Sequence, residues 1–338
     1  MEPRGRFTRH AAGTPAAGGS RGADSAMPAV TSGRVMSFAH IATFYKAASD
    51  YAETVGGFVT AGLAQGDPVM VAVPRPNALV LRDYLGQRAD RVTFADMATL
   101  GLNPGRIIPA VHSFAESHRG RPVRYIGEPI WRSRTAAELA EAMRHEALLN
   151  VAFADQPIRI LCPYNSATLD PGVLAEAEQT HPELMNASHI TPSRAFAGPG
   201  ILPVHDCPLP DPPADLEVLA FRGEPRSARA FIRERARSAG LREPKLTDLV
   251  IAVGELAANT LRHTEGSGTV RVWGTDVEVI CEVHDSGHIR DSLAGRRYPA
   301  ADAGQGHGLW VVHQVCDLVE MRTGDSGTTF RLHMGLGR

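Results

Sequence analysis

A glycine-rich segment near the end of the chain has the composition of a phosphate-binding turn. Gly304-Gln305-Gly306-His307-Gly308-Leu309 opens a predicted helix over residues 308–317. The free backbone N–H groups at the start of a helix, together with the positive end of its dipole, attract anions such as phosphate. A glycine-rich turn alone is weak evidence for such a site, so the residues that the fold brings beside it decide the interpretation.

Two earlier groups of residues could share that site. Glu255 and Asn259 lie four residues apart on a predicted helix over residues 245–263, so they project from one face, and His263 continues that line. Asp285-Ser286-Gly287 directly follows an apolar strand, which places a carboxylate where a ligand could meet the strand end. Each group also has an ordinary interpretation. The helix residues could be a solvated face, and Asp285-Ser286-Gly287 could be a β-turn. Their fixed order on helix, strand end and glycine loop favours a ligand site.

In this order the residues resemble the GHKL ATPases. The N-box of that family is similar to Glu255-Leu256-Ala257-Ala258-Asn259 with His263 following, and the first glycine box is similar to Asp285-x-Gly287. The second glycine box resembles Gly304-x-Gly306-x-Gly308-Leu309, and the closing Gly-Thr box resembles Gly327-Thr328-Thr329-Phe330. The resemblance covers the last third of the chain and implies an α+β sandwich of the Bergerat type.

The resemblance also implies a role for each residue. Asp285 would accept a hydrogen bond from the adenine amino group of ATP, and Asn259 would hold a Mg²⁺ ion that bridges the phosphates. Glu255 would be the general base, which takes the proton from a hydroxyl as it attacks the γ-phosphate. Residues 288–303 would form a lid over the nucleotide. The remaining nucleotide-binding positions implied are His263, Gly287, Gly304, Gly306, Gly308, Leu309 and Thr328.

Within the GHKL class the chain is most similar to the anti-sigma-factor serine kinases, with Arg229-Ala230-Phe231-Ile232 on the first helix of the domain as in that group. Such relatives switch between a sigma factor and an anti-anti-sigma partner of the STAS type, so the implied activity is phosphorylation of Ser or Thr on that partner. They are often dimers, which leaves a homodimer open.

Two other functions also stay open. One is a module that binds ATP and sequesters a partner without catalysis. The other is a histidine kinase that acts in trans. A sensor histidine kinase has a two-helix dimerisation unit before this domain, where the present chain has a proline-rich stretch. His145-Glu146 fits the phosphoacceptor pattern only superficially.

The predicted elements fall into two architectures. Strands at 68–74, 92–94, 123–126 and 158–162 alternate with helices at 77–87, 107–117 and 136–150, after an amphipathic helix over 40–64. Such a βα series predicts a parallel sheet that is covered on both faces. Downstream, strands at 216–221, 268–274, 277–285, 319–322 and 328–333 with helices at 227–239, 245–263 and 308–317 predict helices layered on one sheet.

Residues from about Met36 to Leu184 resemble the MEDS domain, a ligand-sensing module. The matching fragments are His40 with Phe44-Tyr45, Gly62-Leu63, Gly127-Glu128-Pro129-Ile130-Trp131, Glu146-x-x-Leu149-Asn150, Cys162-Pro163-Tyr164-Asn165 and His181-Pro182. The resemblance implies a RecA-like sheet without a P-loop, and a small-molecule signal. Glu128, Trp131 and Cys162 could line a sensing pocket at strand ends. They could equally be a hydrogen-bonded acid, a core aromatic residue and a buried small residue.

Composition excludes several other classes. The net charge of -2 provides no positive field for direct nucleic-acid binding. Neither Lys46 nor Lys245 has the neighbours of a P-loop lysine. The four cysteines form no Cys-x-x-Cys pair and the fourteen histidines no metal-binding spacing, which predicts reduced cysteines, a cytoplasmic protein and no dedicated zinc site. No apolar run approaches the ~20 residues that span a bilayer, so no membrane segment is expected.

The chain therefore divides into four predicted segments. Residues 1–34 are rich in Gly, Ala, Ser, Pro and Arg and are predicted to be a disordered lead. Residues 35–195 form the MEDS-like sensory domain, and residues 196–215 form a proline-rich linker between domains. Residues 216–338 form the GHKL domain.

Overall fold

A computed structural model of the chain describes residues 37–198, 208–222, 225–298 and 307–337. The predicted disordered lead, Gly304 and Gly306 lie outside these ranges, as do parts of the predicted linker and lid. From Met36 to Arg338 the chain forms one compact unit. Within the described residues, no helix combines the length and the apolar composition that crossing a bilayer requires.

The first part of the chain builds a seven-stranded sheet in the order β3-β2-β4-β5-β1-β6-β7. All neighbouring strands are parallel except the β6–β7 pair, which is antiparallel. Apolar clusters cover both faces, so the predicted parallel sheet is confirmed. The strands are β1 Ala39–Tyr45, β2 Val69–Val73, β3 Val92–Asp96, β4 Val123–Gly127, β5 Ile158–Asn165, β6 Glu183–Asn186 and β7 His189–Pro192. The helices are α1 Ala48–Gln65, α2 Arg75–Leu85, α3 Met97–Leu100, α4 Ile107–Ser117, α5 Ala136–Ala152 and α6 Pro171–Thr180.

The helix predicted over 40–64 begins later than its sequence pattern suggested. Residues 39–45 form strand β1, and helix α1 begins at Ala48. β1 lies inside the sheet between β5 and β6, with Ile41 packed on one face and Ala42 on the other. Because both faces are buried, its apolar residues run together without alternation, and such a short run cannot be told from the start of a helix by periodicity alone.

The last part of the chain forms a five-stranded antiparallel sheet in the order β11-β12-β10-β9-β8. Helices α7, α8 and α9 share one apolar core with the sheet, which confirms the layered α+β architecture. The strands are β8 Val218–Arg222, β9 Ser267–Gly274, β10 Glu278–Asp285, β11 Leu318–Gly324 and β12 Gly327–Gly335, and the helices are α7 Pro225–Ser238, α8 Lys245–His263 and α9 Gly308–Val315.

Strand β12 shows how the sheet separates an apolar face from a charged one. Phe330, Leu332 and Met334 face the helices and are buried in the core. The alternate residues Arg331 and His333 lie on the other face, because successive side chains of a strand point to opposite sides. Arg331 binds Glu282 of β10 there, and its Nη2 also donates to the carbonyl oxygen of Pro210 at 2.7 Å. The second half of the predicted linker therefore packs against this charged face.

Candidate nucleotide-binding site

A cavity of about 450 Å³ lies between α8, the end of β10 and the start of α9. The predicted site residues that line it are Asn259, His263, Asp285, Gly287, Gly308, Leu309 and Thr328. Glu255 borders this group, because a Cβ atom added at Gly308 would lie 2.7 Å from Glu255 Oε2 and 3.6 Å from the Asn259 amide. Residues from four separate stretches of sequence thus converge, whereas Gly304 and Gly306 are outside the described residues.

Asp285 is held in a fixed orientation at the end of β10. Its Oδ2 accepts a hydrogen bond from Thr260 Oγ1 at 2.6 Å, and its Oδ1 accepts one from the backbone N–H of Gly287 at 2.8 Å. A carboxylate has about four lone-pair positions, so capacity remains to accept a hydrogen bond from a ligand. The turn after the strand therefore presents a half-buried, pre-positioned acceptor to the cavity.

The β11–β12 turn packs closely against this acceptor. Thr328 pairs with Asp285 across the β10–β12 ladder, and its Oγ1 donates to the carbonyl oxygen of Gly287 at 2.7 Å. Gly327 has a φ of 119°, and a Cβ atom there would overlap the carbonyl oxygen of Asp285. A glycine is required at this position, because L-residues rarely adopt that φ and the two backbones leave no room for a side chain.

Apolar side chains form much of the rest of the cavity, and they were not among the nucleotide-binding residues predicted from the sequence. They are Leu256, Val283, Ile289 and Phe330, with Thr260 and Thr264 as additional polar groups. A mostly apolar slot with a few fixed polar groups suits a planar heterocycle. The position of Thr260 in the sequence could have predicted its place in the cavity. It follows Asn259 and lies four residues after Leu256 on a helix whose core face is continuous.

Helix α9 brings its N-terminus to the cavity. Gly308 and Leu309, its first two residues, are part of the lining. The N–H groups at a helix start have no partner within the helix, and the dipole there is positive. An anionic group on a ligand would therefore be attracted to the end of the cavity that Glu255 and Asn259 border.

The other end of α9 is held by the N-terminal domain. Arg106 donates from Nε to the carbonyl oxygen of His313 at 2.9 Å and from Nη2 to that of Cys316 at 2.6 Å. Asn103 Nδ2 donates to the same His313 oxygen at 3.0 Å. These donors satisfy carbonyl groups that the end of a helix leaves without partners.

The segment that follows β10, which forms the described part of the predicted lid, is also anchored on the N-terminal domain. Glu141 of α5 is completely buried and binds Arg296 of that segment and Arg322 of β11, both at 2.6 Å. Burial raises the pKa of Glu141, but the nearby arginines outweigh that effect and lower the pKa overall. Leu293 packs in the apolar cluster that contains Met97 and Ile107 of the first domain.

The cavity, its fixed acceptor and its helix N-terminus belong to an ATPase domain of the GHKL type. Residues 223–334 match the family model described as the histidine kinase-like ATPase domain. Residues 39–182 match the model described as MEDS, the methanogen/methylotroph, DcmR sensory domain. The chain therefore has a segment that matches the MEDS sensory domain followed by one that matches the histidine kinase-like ATPase domain, and the second family implies ATP binding.

The chain was also compared with curated proteins and with solved structures. No curated protein matches the chain. Among solved structures, the RsbU and RsbW domains of a Mycobacterium tuberculosis protein match with 21% sequence identity and a TM-score of 0.26. That match covers 35% of this chain and 32% of the solved chain, so the chain spans about a third of that structure.

In the MEDS domain, Glu128 is a hydrogen-bonded acid. It accepts hydrogen bonds from Tyr45 Oη and Asn77 Nδ2, both at 2.7 Å, and is almost fully buried. Burial raises its pKa to about 7, although these hydrogen bonds oppose the shift. Trp131 stacks on the guanidinium of Arg134 at 3.9 Å, and Cys162 is buried in the apolar cluster of one sheet face. Glu128 could be a residue of a sensing pocket or a hydrogen-bonded acid of the structure, and these contacts favour the second interpretation.

Proposed function

We propose that the chain is a signal-responsive anti-sigma regulator. In this proposal it binds ATP and Mg²⁺, transfers the γ-phosphate to Ser or Thr of a STAS-type anti-anti-sigma partner, and thereby controls the availability of a sigma factor. The observation that carries the proposal is the position of Glu255 and Asn259 beside Gly308, at the positive end of α9.

The residue chemistry supports a transfer reaction at that end of the cavity. A carboxylate beside the phosphate-binding end can accept the proton of an attacking hydroxyl, which is the task of a general base. The Asn259 amide oxygen is a suitable hard ligand for Mg²⁺, which would bridge the phosphates and offset their charge. Asp285 at the opposite end of the cavity would accept a hydrogen bond from the adenine amino group, and Thr328 would hold the Gly287 turn in place.

Contacts from the MEDS domain support regulation of the same site. Glu141 of this domain forms a salt bridge with Arg296 of the predicted lid, and Arg106 donates hydrogen bonds to the C-terminal end of α9. Both elements border the cavity. A small-molecule signal that changes the MEDS domain would therefore alter lid closure and the position of the phosphate-binding helix.

The phosphoacceptor pattern at His145 does not support a histidine kinase that phosphorylates its own chain, because that side chain is 1% exposed within α5. A histidine kinase that acts in trans on another protein differs from the proposal in the residue that it phosphorylates. A non-catalytic sequestration module shares the whole nucleotide site and differs only in whether Glu255 acts as a base. The test must therefore separate binding from transfer.

The experiment is transfer of labelled γ-phosphate from Mg-ATP to STAS-domain proteins encoded in the same genome. Wild type is compared with Glu255→Gln, Asn259→Ala and the control Glu234→Gln, which changes an exposed carboxylate on α7. We expect acid-stable labelling with wild type and the control. Loss of the general base should lower transfer by ~100-fold or more while ATP binding persists, and Asn259→Ala should lose both Mg²⁺-dependent binding and transfer.

Other outcomes would overturn the kinase assignment. Tight ATP binding without transfer to any STAS protein would establish the sequestration module. Acid-labile label would establish phosphorylation of histidine. Equal transfer by wild type and Glu255→Gln would remove Glu255 from the mechanism.

A further inference from the structure

Four buried side chains of metal-ligand type meet inside the MEDS domain. His40 comes from β1, Glu146 from α5, Cys162 from β5, and His181 directly follows α6. One ligand atom from each lies within 4.8 Å of all the others, and none of the four residues is more than 1% exposed. We call this group the His-Glu-Cys cluster. It has no part in the proposed nucleotide chemistry.

Hydrogen bonds around the cluster fix where the imidazole protons lie. His181 Nδ1 is 2.7 Å from the carbonyl oxygen of Ala177, which can only accept, so this nitrogen carries a proton. The Asn150 amide donates from Nδ2 to the carbonyl oxygen of Thr180 at 2.8 Å, which directs its Oδ1 to His40 Nδ1 at 3.1 Å. His40 therefore also carries its proton on Nδ1. In both neutral rings, Nε2 is left with a lone pair.

These two lone pairs face a third acceptor. His40 Nε2 lies 3.2 Å and His181 Nε2 lies 3.3 Å from the same carboxylate oxygen of Glu146. His181 Nε2 and the second carboxylate oxygen, Oε1, are buried without a hydrogen-bond partner. The thiol of Cys162 can donate to His40 Nε2 at 3.5 Å, but His181 Nε2 still faces the Glu146 carboxylate as a second buried acceptor. Buried acceptors that face one another are costly, so a cation at the centre would stabilise the cluster.

Three of the six distances between the ligand atoms suit a tetrahedral ion, and the other three are no longer than 4.8 Å. Zinc–nitrogen and zinc–oxygen bonds of ~2.05 Å and a zinc–sulfur bond of ~2.3 Å give tetrahedron edges of roughly 3.4 Å between N or O atoms and roughly 3.6 Å to sulfur. The two His–Glu distances are 3.2 and 3.3 Å, and Cys162 Sγ lies 3.5 Å from His40 Nε2. Three edges of the cluster are thus within ~0.2 Å of a zinc tetrahedron.

We propose that the His-Glu-Cys cluster binds one divalent transition-metal ion, with Zn²⁺ the ion best suited to its mixed nitrogen, oxygen and sulfur ligands. Binding would displace the thiol proton of Cys162, because the thiolate is the ligand form. The Nδ1 hydrogen bonds to Ala177 and Asn150 orient the two rings, as such outer partners do in known sites. Four protein ligands without solvent access make a closed site, which joins β1, β5, α5 and the end of α6 and leaves no open position for catalysis.

The test measures metal content and coordination in the full-length chain. Protein produced in zinc-supplemented medium is dialysed against EDTA and analysed by mass spectrometry for metals, and protein produced with Co²⁺ is examined by absorption spectroscopy. We expect about one equivalent of retained zinc. The Co²⁺ form should show the intense visible bands of a tetrahedral site and a near-ultraviolet thiolate-to-metal band.

Variants assign these signals to the cluster. Cys162→Ser should lose the thiolate band, and Cys162→Ser and Glu146→Gln should each weaken zinc binding at least ~10-fold in competition with a chromogenic chelator. Cys281→Ser is the matched control, because it removes a buried cysteine from the ATPase core. It should behave as wild type.

The wild-type measurements keep the proposal falsifiable even where a variant fails to fold. Zinc removed completely by EDTA, or a Co²⁺ spectrum without a thiolate band, would overturn it and leave a proton shared between imidazole and carboxylate as the occupant. Equal loss of zinc in Cys281→Ser and Cys162→Ser would also overturn it. None of these readouts depends on kinase activity.

Discussion

At Gly327 the backbone of one turn occupies the space that a side chain would need. This residue lets the β11–β12 turn approach Asp285, so the Asp285 end of the cavity depends on a position that has no side chain to contact a ligand. The neighbouring Gly324 ends strand β11 in the same hairpin, and a Cβ atom there would meet nothing within 4 Å. The two glycines are therefore a matched pair, one required by its conformation and one replaceable.

We predict that Gly327→Ala impairs both stability and nucleotide binding, whereas Gly324→Ala is nearly neutral. The positive φ alone costs about 1–3 kcal/mol, and overlap with the Asp285 carbonyl adds displacement of the acceptor. Urea unfolding and binding of a fluorescent ATP analogue measure the two effects. Similar results for both variants would show that the turn relaxes without disturbing Asp285.

The residues of the candidate nucleotide site could be foreseen as one site from the sequence. The four residues of the His-Glu-Cys cluster all lie in the fragments that resemble the MEDS domain, but nothing in the sequence predicts that they meet. Glu255 and Asn259 are on one helix, and Asp285 is followed closely by its glycine, so short spacings carry the information. The cluster instead joins residues as far apart as His40 and His181, and no local spacing encodes their meeting. The expectation of no dedicated zinc site considers local spacing alone, and local spacing carries no information on a site that a sheet would build from distant residues.

Among the elements, α5 stands out because charged residues on it are buried at the boundary of the two domains. Glu141 binds two arginines of the ATPase domain, and Arg144 Nη1 donates to the carbonyl oxygen of Met321 at 2.7 Å. The helix begins with a capping box between Thr135 and Glu138, which fixes its start. A helix so constrained presents its charges at defined positions.

We predict that Glu141→Gln destabilises the protein by about 3–5 kcal/mol, because removing one partner leaves buried guanidinium groups without their counter-charge. The same change should raise proteolytic cleavage in the segment around Arg296. Glu138→Gln, near the start of the same helix, should cost about 1 kcal/mol or less. Urea unfolding and limited proteolysis provide the measurements, and equal effects of the two variants would contradict a specific role for Glu141.

Element boundaries show why some parts of the fold were predictable. The helices at 107–117 and 245–263 match the structure because their apolar residues recur with helical period. Strand β1 was mistaken for helix because it is buried on both faces, and the elements from Pro171 to Pro192 were not predicted at all. The last two strands there are only four residues long, too short to establish a period against the surrounding polar residues.

The whole molecule carries a pH-dependent ionic network on the charged face of its second sheet. His333 Nδ1 lies 3.1 Å from Glu278 and its Nε2 3.0 Å from Glu320. Burial lowers the pKa of His333, but hydrogen bonds and charges of these two carboxylates outweigh burial and raise it to about 9. Since an unfolded histidine titrates near ~6.5, the protonated ring stabilises the folded chain below that pH. The stabilisation is lost as the pH rises through about 9.

We predict that the free energy of unfolding falls between pH 6.5 and pH 9 by up to about 1.4 kcal/mol per pH unit from this residue. The variant His333→Gln should lack this part of the slope. The free energy of unfolding of this variant should therefore lie furthest below that of wild type near pH 6 and closest to it above pH 9. Urea unfolding across this range measures the difference, and parallel pH profiles would show that His333 is neutral in the folded protein.

Helix α9 is held at both ends by different parts of the molecule, with nucleotide-cavity residues at its start and the Arg106 and Asn103 donors at its end. A helix of eight residues is only ~12 Å long and rigid at that length, so the two ends move together. Energetic coupling of two sites is reciprocal. If one state of the MEDS domain raises the affinity for nucleotide, bound nucleotide raises the population of that state by the same factor. The ATP concentration in the cell would determine how much of the protein has ATP bound. It would thereby set the signal concentration at which the MEDS domain responds.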